Sequence, residues 1–143
     1  MLRGADGRLG FVSYDIHFMK LRRSVASSME IRGDDFGPID TVEAVRARLD
    51  AIFPGGIKWL DATEGRMIAI EWARWSLLPT KGDESSIVWV TLETSYRVSS
   101  DERYALAQQV ADATGWTAID DQGGAKRRVI APRIMAADRS GTE

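Results

Sequence analysis

Apolar and polar residues alternate with period two over VSYDIHFM (12–19), with Tyr14, Ile16 and Phe18 on one side and Asp15, His17 and Met19 on the other. This is the pattern of a strand with one buried face. The stretch 20–38 keeps no period and reads as a long connection containing a short strand near Met29–Ile31. The period then becomes helical. Val42, Val45, Leu49, Ile52 and Phe53 form one stripe, Asp40 and Glu43 stand at capping-box spacing, and Pro54-Gly55-Gly56 ends the helix, predicting it over 41–53.

Strand-like segments follow. IKWLD (57–61) leads through ATEG, read as a turn, into RMIAIEWARW (66–75), where Ile68, Ile70 and Trp72 share a face. PTKGDESS (79–86) reads as a polar loop. IVWVTLETSYRV (87–98) is the strongest strand signal, rich in β-branched and aromatic residues and free of Pro and Gly. Its alternation puts Val88, Val90, Leu92, Tyr96 and Val98 on one face and Trp89, Thr91, Glu93, Ser95 and Arg97 on the other. Ser99 and Glu102 open a second helix over 100–114, with Tyr104, Ala107, Val110, Ala111 and Thr114 as its packed stripe and Gly115 as its stop. WTAID (116–120) returns as a short strand, and the basic run Lys126-Arg127-Arg128 beside Val129-Ile130 reads as a charged edge strand or as a contact for phosphate or an acidic protein.

This order predicts an α+β fold: a single mainly antiparallel sheet with two helices on one face, a split βαβ plan with an extra strand. With 143 residues the chain is long enough for one domain with a real core, placed at 12–131 between flexible tails at 1–11 and 132–143. The absence of cysteine excludes disulfides and thiolate chemistry and fits a reducing cytosol. No apolar run reaches membrane-span length and no secretory h-region opens the chain, so a cytoplasmic protein is expected.

Charge changes the picture more than composition does. Residues 34–121 carry 16 acidic against 8 basic side chains, and the basic excess lies in the flanks. An acidic body repels phosphate, so nucleic acid is not an expected partner, whereas a basic protein is.

Candidate chemistry is sparse. Asp120 and Asp121 precede Gln122-Gly123-Gly124 and read first as a turn, since aspartate bonds its own backbone there. A second reading is a small enzyme or ligand-binding domain using Asp120, Asp121 and the single histidine, His17. One histidine cannot build a H-E-x-x-H metal motif, and the glycine pairs lack phosphate-loop spacing, so neither a metal nor a cofactor is assigned, and no catalytic residue. Tryptophan is the unusual feature, with Trp59, Trp72, Trp75, Trp89 and Trp116 nearly all in predicted strands. Aromatics set among charges on a sheet face are what protein interfaces use as anchors. The candidate binding residues are therefore Trp89, Glu93, Trp72, Asp120 and Asp121.

The start Val12-Ser13-Tyr14-Asp15-Ile16-His17-Phe18 resembles the Ser-Tyr-Asp-hydrophobic opening of many small bacterial proteins, some similar to immunity proteins that neutralise polymorphic toxins. Thr114-Gly115-Trp116 leading to Ala118-Ile119-Asp120-Asp121-Gln122 is similar to their closing helix, glycine turn and short strand, with Asp121 where proline is usual. The resemblance implies a protein-binding inhibitor whose partner is a basic toxin, and it transfers no catalytic residue. It also implies a native start at Val12. A homo-oligomer formed through the sheet is the third reading.

Overall fold

The computed structural model describes residues 13–23, 31–32, 35–120 and 128–133. Its strands are β1 (Ser13–Leu21), β2 (Phe36–Gly37), β3 (Asp40–Thr41), β4 (Ile57–Trp59), β5 (Glu64–Met67), β6 (Ala73–Thr80), β7 (Asp83–Ser95), β8 (Thr117–Asp120) and β9 (Arg128–Ile130), and its helices are α1 (Val42–Ile52) and α2 (Ser100–Thr114). Seven strands lie in the order β9-β8-β1-β7-β6-β5-β4, with β2 added to β1 and β3 to β7, and the pairings are antiparallel. The α+β plan read from the sequence is the plan observed.

Both helices cover one face. Ile16 and Phe18 of β1, Val90 and Leu92 of β7, Trp75 and Leu77 of β6 and Ala118 of β8 share one core with Val42, Val45 and Leu49 of α1 and Ala107, Val110 and Ala111 of α2. The alanines let α2 lie close to the sheet. The two helices are joined where the Arg48 guanidinium donates to the Thr114 carbonyl at 3.2 Å. α2 begins and ends as its sequence dictates: Ser99 Oγ accepts from the Glu102 amide, and Gly115 adopts φ 82°, the left-handed conformation that stops a helix.

The cap of α1 differs from expectation. Thr41, not Asp40, is the N-cap, its hydroxyl accepting from the Ala44 amide at 3.1 Å, while Asp40 Oδ1 accepts from the Thr41 amide. Asp40 is held in the pairing of β3 with Ile87, so its side chain stands one position too early. Thr41→Ala should therefore cost about 1 kcal/mol of stability, and Asp40→Ala clearly less, in paired urea melts.

The larger correction lies between residues 62 and 86. Glu64 and Gly65, read as part of a turn, belong to β5, which ends at Met67. The expected strand 66–75 is broken by a bend in which the Ala73 amide donates to the Ile70 carbonyl, leaving Ile68 63% exposed and Trp72 40% exposed. The alternation that buries residues here is Ala73, Trp75 and Leu77, one strand later. PTKGDESS is likewise no loop: β6 runs to Thr80, Gly82 turns the chain at φ 87°, and β7 starts at Asp83. The polar composition that mimicked a loop belongs to a hairpin projecting beyond the core.

Pro79 explains the register in that hairpin. It has no N–H to give the ladder, and the pairing slips beside it: Leu78 opposes Trp89 but Pro79 opposes Ile87. Val88 is skipped, so it does not share the face of Val90 as its spacing implied. β7 also ends at Ser95, leaving Tyr96 58% exposed rather than buried. The strand anticipated near Met29–Ile31 falls mostly outside the described residues, and Ile31 is in none; the pairing segment is Phe36–Gly37. At the C-terminal end Arg133 is fastened to α2 through Asp112, whereas 1–11 and 134–143 lie outside the described residues.

Candidate interaction surface

Register places the side chains of the sheet face that the helices leave uncovered. Lys58 pairs with Arg66, Arg66 with Arg74, Arg74 with Glu93 and Glu93 with Asp15. Residues directly opposite in a ladder point to the same side. Five charged side chains on five neighbouring strands therefore form one unbroken row, three cationic and then two anionic. Below it run Ser76, Thr91, His17 and Ile119, and below those Leu78 opposite Trp89. On the β1–β8 side Met19 and Ile119 are buried; on the β6 side Arg74 and Leu78 are exposed.

The row is held and strained at once. Arg74 Nε donates to Glu93 Oε1 at 2.8 Å. That hydrogen bond raises the Arg74 pKa above its already high ordinary value; burial opposes the shift, and the charges of Glu93, Glu64 and Asp15 support it. Lys58, Arg66 and Arg74, however, are like charges in directly opposed positions, an arrangement that destabilises a sheet. Such a triplet is a feature that a docked anionic surface would relieve.

Trp89 sits half-buried on this face. Its indole N–H donates to His17 Nδ1 at 2.7 Å, Thr91 Oγ1 lies 3.0 Å from the same nitrogen, and the Phe36 ring meets it edge-on at 5.6 Å. An indole nitrogen only donates, so His17 Nδ1 is an acceptor and the neutral ring carries its proton on Nε2. While that bond holds, neither nitrogen has a lone pair to offer as a base. At the end of the face, the Arg97 guanidinium lies 4.7 Å from the Trp72 ring and 5.7 Å from the Tyr96 ring.

Three of the five expected binding residues, Trp89, Glu93 and Trp72, thus belong to one side of the sheet. Asp120 does not. It shares the parity of Ala118, which opposes Phe18 in the core, whereas His17 opposes Ile119. Asp120 and His17 are on opposite faces, so they do not meet in one site. Asp121 lies outside the described residues. Asp120 is also more than a turn residue: it closes β8 opposite Arg128, is buried, and accepts the Tyr104 hydroxyl proton in a 2.5 Å hydrogen bond. Arg128 and Arg103 lie 4.2 Å and 5.5 Å from the Tyr104 ring.

This hydrogen bond to Asp120, with burial and the Asp120 charge behind it, raises the Tyr104 pKa above 10.0, while Arg103 and Arg128 work against the shift. A neutral acid whose folded pKa is raised adds stability that is complete below its unfolded pKa and lost as pH climbs through the folded value. Stability should therefore fall more steeply above about pH 10 in the wild type than in Tyr104→Phe. Alkaline urea melts with phenolate absorbance measure both.

The sequence did not single out Lys58, Arg66 or Arg74, and it placed Tyr104 only in the packed stripe of the second helix. The first three become a row only through the pairing of β4, β5 and β6, and the misplaced strand hid it. Among the described residues no group of three or more His, Asp or Glu side chains is placed to hold a metal ion. No known protein family, curated protein or solved structure matches this chain.

Proposed function

We propose that this chain is a protein-binding module, an inhibitor of the immunity or antitoxin kind, which docks its partner on the uncovered sheet face. The observation that carries the reading is the charged row Lys58–Arg66–Arg74–Glu93–Asp15, flanked by Trp89 and Trp72. Half-buried and exposed aromatics beside oriented charges supply an anchor and a register at once.

The acidic excess of the body is largely elsewhere, at the hairpin tip (Asp83, Glu84) and the helix starts (Glu43, Asp101, Glu102). It steers a basic partner in; Glu93 with Asp15 receives that partner's cations, and Lys58, Arg66 and Arg74 meet anionic groups of the docked surface. Among the described residues no helix is long and apolar enough to cross a membrane. A cytoplasmic site of action belongs to the same proposal.

The test is to co-purify the chain with the product of the gene beside its own and to measure the affinity of the pure pair. Glu93→Lys should cost about 2–5 kcal/mol of binding, whereas Glu43→Lys on α1 should change mainly the association rate. A folded Glu93→Lys variant that binds as tightly as wild type contradicts the reading. A pair that forms no complex counts against its immunity form.

A further inference from the structure

We infer that the docking surface is anchored by the Arg97 guanidinium, held against the rings of Trp72 and Tyr96, and that it receives a carboxylate from an acidic, apolar segment of the partner protein. The inference rests on the reading of the uncovered face as a binding surface and names the group that the partner brings to it. It concerns the open side of that face, because Met19 and Ile119 on the β1–β8 side are already covered. One buried residue sets the anchor. Ser95, 1% exposed, donates its amide to the Trp72 carbonyl at 3.0 Å, and its hydroxyl accepts from the Arg97 amide at 3.0 Å. The Val98 amide donates to the Ser95 carbonyl and closes the turn. Trp72 and Arg97 are thus fixed from below by one residue, while both side chains and that of Tyr96 are exposed.

The N–H groups of a guanidinium lie in its plane, so a ring against its face uses none of them. Among the described residues the Arg97 side chain donates no hydrogen bond and has no salt bridge, which leaves its fork open to a carboxylate. The surroundings fix the rest of the partner's chemistry. Ile68 and Trp72 stand two residues beyond Arg66 and Arg74 at the closed end of the β5–β6 hairpin, and both are exposed. Lys58, Arg66, Arg74 and Arg97 are half of the eight basic side chains in 34–121, so this region opposes the acidic sign of the body. Of the four only Arg74 has a salt bridge among the described residues; Glu64, before Arg66, and Glu71, before Trp72, pair with none of them. A long polyanion would run onto Glu64, Glu71 and Glu93. A short segment with carboxylates beside an apolar side chain meets the unpaired cations and the Ile68–Trp72 surface. Trp, Tyr and Arg are the residue types that carry most binding energy in protein interfaces.

Nuclear magnetic resonance of the full nitrogen-labelled chain tests this with two capped peptides, Ser-Asp-Leu-Asp-Phe-Ser and Ser-Lys-Leu-Lys-Phe-Ser. The acidic peptide should shift the Trp72 indole N–H and the Arg97 Nε–H, leave Trp75 and Trp116 in place, and bind more weakly as salt rises. The basic peptide should shift neither signal. Arg97→Ala and Trp72→Ala, both at exposed positions, should each weaken the acidic peptide by about tenfold. Arg97→Lys keeps the charge and loses the planar fork, so it should also bind more weakly than wild type. Lys81→Ala removes a cation from the distant hairpin tip and should change nothing.

An unmoved Trp72 signal, an equal response to both peptides, or an Arg97→Ala variant that binds like wild type overturns the inference. So does a thymidine oligonucleotide that shifts Trp72 where the acidic peptide does not. Circular dichroism checks that each variant is folded, and the comparison of the two peptides on the wild type decides the matter without any variant. The adjacent-gene product is measured separately. A pair in which Arg97→Ala binds like wild type sinks this inference alone. An acidic peptide that docks on a chain forming no pair with that product counts against the proposed function alone.

Discussion

Replacing Trp75 by alanine is expected to lower stability by about 3–5 kcal/mol, the range for deleting a large aromatic side chain from a packed core. Trp75 is 0% exposed, its ring lies 5.8 Å from Phe18 and 6.0 Å from Phe53, and its indole N–H donates to Met67 Sδ. It therefore ties β6 to β1, to the end of α1 and to β5 in one step. Small domains have only about 5–15 kcal/mol in total, so the variant should be marginal at room temperature. The urea midpoint measures it. A loss below about 1 kcal/mol would show that β6 is not packed in this register.

Gly65→Ala is expected to cost about 1–3 kcal/mol, through overpacking rather than a cavity. A Cβ at Gly65 would stand 2.7 Å from Ile57 Cγ2 and 2.7 Å from the Trp59 ring, closer than real side chains approach. Neither neighbour retreats easily. Ile57 is buried, and Trp59 is held from α1 by a 3.0 Å hydrogen bond to Asp50 and by Arg46 over its ring. The edge pair β4–β5 must open, and Arg66 moves with it. If Gly65 lay in a surface turn, as the ATEG motif suggests, the substitution would be almost neutral in the same melt.

Gly65 and Trp75 also show where the sequence was legible. Elements whose ends carry their own chemistry were read well: Ser99 and Gly115 bound α2, and the alternation of 14–18 set β1 with its core face. The region 62–86 was not, because its local pattern is ambiguous by one strand. Ile68, Ile70 and Trp72 alternate as convincingly as Ala73, Trp75 and Leu77, and only the hairpin pairings decide between them. Periodicity reports burial, and here a bend put apolar side chains into solvent.

The candidate surface was half legible for the same reason. Trp89 and Glu93 lie on one strand, where spacing alone assigns their face. Arg74 and Arg66 reach that face through register, which single-sequence spacing does not fix. Asp120 illustrates the converse. Its position before a glycine pair pointed to a turn, while the groups that define it, Tyr104 and Arg128, come from the preceding helix and the following edge strand, and only their packing brings them to it.

The central claim is that the sheet face bearing Trp89, Glu93 and Arg74 is where another protein docks. Indole N–H resonances of the nitrogen-labelled chain report on it directly, because the five tryptophans sample both faces. On addition of the adjacent-gene product, the Trp89 and Trp72 signals should shift or broaden while those of buried Trp75 and Trp116 hold their positions. Shifts confined to Trp59 and to the amides of α1 and α2, with Trp89 and Trp72 unmoved, would place the partner on the helices and contradict the account.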